Sequence, residues 1–518
     1  MPRNNPATLG PTEQLTSRVS HRARSDAAAN LLNQGFPYSK KLSSHTSCVN
    51  ALVFSSGEGR WLASAGDDLR VLLWDFHQED ISRPSAMFLG PRSNVFAVAF
   101  SAHNQYLLAG GTDDSIYRYD LSHSPTGLGR PLDVVERHND NVRAVSCHPV
   151  QDEIFMSASE DGSIMLHDMR AGSTLTNAQG TLQNDCEFTD VKCHPTMEHI
   201  FATSDNHGKV TLRDTRMAFG PRSSRTKDGI VQKYNTTLSK QSASQLCNPE
   251  VSNLSFDKDG RKLGVLMLHY LPTIYSLSDP QPLATCSGRN LSSGIPVPPG
   301  VRTYSNSCTI KHGTFSDSIY DNDQFYTTGS DDFRGYVWKI PDLGKLVDSR
   351  EEISFDEWIQ RPNTIAFASK TWEPRYIPQE LSTPFCTVNG HKSIVNSAIM
   401  HPHFLHLVTS GIERHIVLHS VTASSPCVEG LLPTPSDVRM LPDVNEEDHR
   451  RFIHALTTGH STISEDQDEI DDDTIALFDE ILRQEGNADP FTVRIWGGGS
   501  DSDSGGVDVD DSDGSDWS

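Results

Sequence analysis

The chain has 518 residues, of which 36% are hydrophobic and 22% charged, and a formal net charge of −24. That length holds one large repeat domain with extensions, and the shortage of apolar residues sits mostly at the ends and in a few insertions. So acidic a total argues against direct nucleic-acid binding, which needs a positive field; no run of about 18 apolar residues marks a membrane span, and residues 1–33 lack the apolar core of a signal peptide.

The nine cysteines are scattered, odd in number and free of any Cys-x-x-Cys. That pattern predicts reduced thiols and a place in the nucleus, the cytoplasm or both.

Residues 1–10 read as disordered. Between 12 and 34, Leu15, Val19, Ala23, Ala27 and Leu31 recur every fourth residue, with Ala28 and Leu32 beside them and Arg18, Arg22 and Arg24 off the stripe. This predicts an amphipathic helix in an N-terminal arm, 1–38, stopped by Gly35 and Pro37.

From 39 to 424 the chain repeats. Four segments end alike, at Leu73-Trp74-Asp75, Arg118-Tyr119-Asp120, Leu166-His167-Asp168 and Leu212-Arg213-Asp214. The aspartates are 45, 48 and 46 residues apart (75 to 120, 120 to 168, 168 to 214). A stride of this size with a Trp-Asp-like ending predicts an all-β fold, a WD-repeat β-propeller of four-stranded blades. In the first blade His45, Ser64, Asp68 and Trp74 are placed to hydrogen-bond in series and tie the strands together. The turn Asp lies six residues before the Trp. The same spacing finds Asp113, Asp161 and Asp332, with His207 and Glu413 as drifted versions, and blade-opening histidines recur at His138, His312 and His391. The fifth blade is weak, the sixth ends at Trp338 and the seventh runs from about Phe385 to Ser420, so the count is seven. Insertions near 218–249, 279–307 and 341–384 read as loops on the propeller faces.

Residues 425–518 form an acidic tail, largely disordered by composition. A short helix is predicted near 473–484, where Asp471 to Asp473 precede Ile475, Leu477, Phe478, Ile481 and Leu482.

Two repeat endings go further. Asp168 is followed two residues later by Arg170, and Asp214 by Arg216, in consecutive blades. Arginine is a common interface anchor. Either these pairs satisfy only themselves and the local turn, or they form a docking surface. The paired endings resemble the motif of substrate receptors of cullin-4-type ubiquitin ligases, in which a Trp-Asp-x-Arg ending docks on the ligase adaptor and an N-terminal helical segment inserts into it. The stretches 41–75, 390–396 and 410–413 are similar to the branch of adaptor- and cullin-4-associated factors numbered five, six and eight. The resemblance covers roughly 12–420 and departs at the Trp positions, which hold His167 and Arg213. It implies adaptor binding through Asp168, Arg170, Asp214, Arg216, Leu15, Val19 and Leu31, and presentation of a protein substrate on the opposite face.

Cys147-His148-Pro149, Cys193-His194-Pro195 and the group His401, His403 and His406 fit turns after first strands better than a zinc site, so no metal is expected. Gly497-Gly498-Gly499-Ser500 lacks the Lys of a phosphate loop, no catalytic pattern survives the repeat explanation, and no cofactor is expected. The basic stretch of Arg216, Arg222, Arg225, Lys227, Lys233 and Lys240 is either a solvated loop or a contact for an acidic partner, this chain's own tail included. Two functions stay open: a non-enzymatic ligase substrate receptor, or a WD-repeat scaffold in chromatin or signalling without a ligase link.

Overall fold

The computed structural model describes residues 27, 29–122, 126–170, 176–243, 245–317, 324–362, 364–425, 427–442, 467–486 and 489–491. Seven antiparallel sheets follow one another along the chain. Blade one is built from Val49–Phe54, Trp61–Gly66, Val71–Asp75 and Ala86–Phe88. Blades two to six span 95–136, 142–183, 188–234, 251–286 and 313–388, and blade seven holds 395–420. The first strand of each sheet packs against the first strand of the next, and blade seven returns to blade one, so the sheets form a closed ring.

Each sheet is sandwiched between two others and buries both faces. Its middle strands are therefore almost continuously apolar, as in Lys262–Met267, instead of alternating. The core lies between blades. Trp74, Leu62 and Val49 of blade one meet Ile416 and Val408 of blade seven, and Leu73 and Ala63 meet Leu107 and Tyr119 of blade two. At the ends of second strands the backbones close up so far that a Cβ on Gly66 would lie 1.9 Å from the Cys48 carbonyl oxygen, and one on Gly411 2.0 Å from that of Ile394. Only glycine fits there.

The ring closes on a strand absent from the sequence reading. Tyr38–Ser43 pairs antiparallel with His415–Ser420, from Tyr38 opposite Ser420 to Ser43 opposite His415. The blade therefore draws its outer strand from the other end of the chain, and the 38/39 division cuts through that strand. Cys386–Val388, assigned by the sequence to blade seven, instead forms the outer strand of blade six against Gly335–Val337. Sequence repeats and structural blades are offset by one strand, because hydrogen bonding and not the repeat boundary decides membership.

The insertions are not simply face loops. Asp279–Cys286 is the outer strand of blade five. Gln379–Leu381 adds to it in parallel, covering an edge that would otherwise be open. Residues 341–384 also carry the helices Leu343–Ser349 and Phe355–Trp358. Three strands of that insertion, Glu351–Ile353, Ala366–Phe367 and Arg375–Ile377, join Leu238–Ser239 in a small eighth sheet. After blade seven the chain crosses one end of the ring and supplies the helix Gln467–Glu485, which extends past the predicted 473–484 at both ends. The disorder expected beyond Gly497 falls outside the described residues.

Candidate functional site

All four Trp-Asp-like endings make the same turn. The aspartate closing the third strand accepts the amide N–H two residues on: His77 to Asp75 at 3.0 Å, Ser122 to Asp120 at 2.8 Å, Arg170 to Asp168 at 3.2 Å and Arg216 to Asp214 at 2.9 Å. The aspartate is thus a turn residue in every case, and the side chain two positions later sets the blades apart. In blade one the carboxylate of Asp75 is held from the adjacent strand by Arg60, with Nε at 3.1 Å and Nη2 at 2.9 Å. In blades three and four that neighbouring position holds Glu153 and His199, opposite the turn in the same register. There the guanidinium comes from the turn itself.

Arg170 donates from Nε to Asp168 Oδ1 at 2.8 Å and from Nη2 to Oδ2 at 2.5 Å, while Nη1 reaches Gln151 at 3.0 Å. Arg216 donates from Nε to Asp214 Oδ1 at 3.1 Å and from Nη2 to Oδ2 at 2.7 Å. The Arg170 and Arg216 side chains are 53% and 67% exposed, and their aspartates nearly buried. Each carboxylate holds one edge of its guanidinium bidentately and leaves the rest of the group exposed, on each of two adjacent blades. The hydrogen bonds from Arg216 hold the Asp214 carboxyl below the usual range, and those to Asp168 raise Arg170 above the ordinary arginine value.

The residues preceding these aspartates point the other way. His167 is buried and takes the place of an indole. His138 Nδ1 donates to Asp161 at 3.1 Å, His138 Nε2 accepts from Ser157 at 2.6 Å, and Ser157 Oγ accepts from His167 Nε2 at 2.8 Å. The blade-one series has the same form: His45 to Asp68 at 2.9 Å, Ser64 to His45 at 2.8 Å and Trp74 Nε1 to Ser64 at 2.9 Å. Burial, and then the neighbouring His138 and Arg137, push His167 well below the ordinary histidine range, which keeps it neutral. Arg213 lies inside blade four, where Nε donates to Thr203 and Thr211, each at 3.1 Å, and Nη1 to the Asp228 carbonyl at 2.6 Å. Burial lowers it to about 10. The departures from Trp are therefore absorbed within the blades and leave the exposed Asp/Arg pairs intact.

Blade seven repeats the series with Glu413, which bonds His391 at 3.0 Å, while Thr409 bridges His391 at 2.8 Å to His419 at 3.0 Å. Several expected members fall outside such series. His207 is exposed, and Asp205 caps its turn instead. His312 begins the inner strand of blade six beside Ser397. Asp332 is satisfied by Tyr336 at 2.7 Å and Arg334 at 3.1 Å, and Trp338 donates to the Ser287 carbonyl at 2.8 Å.

Leu15 and Val19 lie outside the described residues. Leu31 is half-buried against the chain's own propeller, beside Leu32, Phe36, Phe325 and Leu407. His148, His194 and His401 each accept two backbone N–H groups on Nδ1 and cap the turn after a first strand. Among the described residues no group of His, Cys, Asp or Glu could hold a metal, and no helix is long and apolar enough to cross a membrane. In the basic stretch, Arg225 is spent on the carbonyls of Gly220, Thr181, Ala178 and Gln179, and Lys240 pairs with Asp489 at 2.7 Å. Sequence reasoning missed Gln151 as a partner of Arg170, because a contact across strands leaves no local signal.

The family model for the WD domain, G-beta repeat, matches residues 37–75, 82–120 and 129–168. The chain belongs to the WD-repeat proteins. It is 32% identical over 478 residues to "DDB1- and CUL4-associated factor 5" of Mus musculus, and 32% identical over 478 residues to that of Homo sapiens. Over most of its length the chain is thus similar to the WD-repeat part of the DDB1- and CUL4-associated factors. These alignments take in 90% of the chain but only 42% of each relative, so the chain spans about two-fifths of the length of those proteins. A shorter similarity, 31% identity over 137 residues, links 26% of the chain to 19% of "WD and tetratricopeptide repeats protein 1" of Homo sapiens.

Proposed function

We propose that the chain is the substrate-recognition subunit of a cullin-4-type E3 ubiquitin ligase. It docks on the ligase adaptor, the DDB1 of its relatives' names, through Asp168, Arg170, Asp214 and Arg216 with the N-terminal arm, and presents a bound protein. It contributes no catalytic group; the gain comes from holding a substrate lysine near the ligase's partner enzyme. The observation that carries this reading is the pair of exposed guanidinium groups, each fixed by its own aspartate, on adjacent blades. A titration of the purified chain with purified adaptor tests it. Binding that the Arg170→Ala, Arg216→Ala double variant loses supports the receptor; no binding by the folded chain refutes it.

The scaffold reading rests on the same contacts, since each arginine already has a carboxylate partner within its own turn. Under that reading the double variant melts earlier and binds the adaptor no differently.

A further inference from the structure

The ends of the blades opposite Asp168 and Asp214 carry the starts of the first strands and the turns from second to third strands. At four such points stand Cys48, Ile394, Ile412 and Phe333, and they form one buried cluster with Leu482 of the helix Gln467–Glu485. Phe478 of the helix packs on the same cluster, and Ile475 and Asp479 are buried too. Positions 475, 478, 479 and 482 fall on one helical face. That face is an apolar stripe with a carboxylate set into it.

The carboxylate has a dedicated receptor. Arg439 donates to Asp479 at 2.6 and 2.9 Å, is fixed by the Lys392 carbonyl at 2.6 Å, and lies 5.0 Å over the Phe333 ring. Arg302 stacks on the same ring at 4.9 Å. Phe333 itself sits at φ 71°, at a turn position that blade three fills with Gly162 at φ 76°. Blade one holds Leu69 at the same turn position at φ 61°, so the left-handed conformation belongs to the turn, and what sets Phe333 apart is the aromatic ring that the turn presents to the two guanidinium groups.

We infer that this face is a docking surface for an acidic amphipathic helix of a protein substrate, and that helix 467–485 is its resident occupant, displaced when the substrate helix binds. The recognised pattern is apolar at i, i+3 and i+7 with a carboxylate at i+4. Two guanidinium groups around Phe333 select acid over base, and the apolar cluster needs a cover at all times. The resident helix belongs to no blade, so exchange breaks no sheet. The inference rests on the receptor function proposed above and names the chemistry of its substrate.

The test is fluorescence anisotropy with a labelled peptide of residues 467–486, titrated with the full chain and with its Phe478→Ser, Leu482→Ser variant. The variant, its groove vacated, binds the peptide at least about tenfold tighter than the parent, as expected when a tethered competitor at millimolar effective concentration is removed. A peptide carrying Asp479→Asn loses at least about tenfold toward the variant, the cost of leaving Arg439 unpaired. Equal affinity of the two proteins, or indifference to the Asp479→Asn change in the peptide, overturns the inference. Should the double variant fail to melt cooperatively, the chain bearing Asp479→Asn alone takes its place, with the same two outcomes. Adaptor affinity is read on the same samples. The groove and the Asp/Arg forks lie at opposite ends of the blades, so failure to bind adaptor would remove the receptor reading and leave the peptide result standing.

Discussion

Arg216 folds back on Asp214 two residues earlier, Nε to Oδ1 at 3.1 Å and Nη2 to Oδ2 at 2.7 Å, while its side chain stays 67% exposed. The turn amide holds the aspartate whatever the arginine does. Arg170→Ala with Arg216→Ala should therefore hardly shift the melting temperature, since exposed ion pairs add little to stability. Adaptor affinity should fall at least about tenfold, as for anchor arginines at interfaces. Calorimetry of unfolding and of binding on one sample reads both; a large drop in melting temperature with unchanged affinity contradicts the assignment.

Ser64 is the joint of its blade, bonded to both His45 and Trp74, and all three are buried. Ser64→Ala leaves two buried polar groups without a partner and should cost about 2–4 kcal/mol in urea unfolding. The exposed Ser122→Ala should cost under about 1 kcal/mol. Equal costs for the two would show that the series is not structural.

Three buried histidines of blade seven stay neutral in the fold. Burial pushes His401 down to about 3, His406 to about 4 and His419 to about 3, from an ordinary value of 6.5. At pH above 6.5 both states are neutral and stability is whole. As pH falls through 6.5 toward 4 the unfolded chain takes up protons that the fold refuses, so stability drops, by about 1 kcal/mol per pH unit for each histidine. The urea midpoint should fall between pH 7.5 and 5. The slope should be shallower in His419→Gln, whose amide can still donate to Thr409. A flat profile in the parent chain would refute the neutral assignment.

Tyr38–Ser43 closes the ring on His415–Ser420, with Leu42 fully buried. A chain starting at residue 27 should melt as the whole chain does. One starting at residue 45 leaves the last blade with an open edge and should lose its cooperative transition. Truncations that probe the arm for adaptor binding must therefore stop short of Tyr38, or they will report on folding.

The repeat stride, the Asp/Arg endings and the His-Ser-Asp-Trp series were legible in the sequence because each lies within one blade, where local spacing dictates geometry. His167 and Glu413 needed the structure. The spacing placed both at the right positions, but that an imidazole N–H does the work of an indole, and a longer acid that of a shorter one, shows only in the bonds that the Ser157 and Thr409 hydroxyls accept and in the Glu413–His391 contact.

By itself the sequence determined that this chain is a ring of repeated four-stranded units, and it singled out the two turns that carry guanidinium groups, because turn chemistry and strand period are local properties. The tertiary structure decided what long-range pairing alone decides. The ring closes with residues 38–43, and Cys386–Val388 belongs to blade six. An acidic helix from the far end of the chain lies over Phe333, its Asp479 held by Arg439. Such contacts join residues tens to hundreds of positions apart, and hydrogen bonding and apolar burial across that distance leave no spacing in the sequence to read.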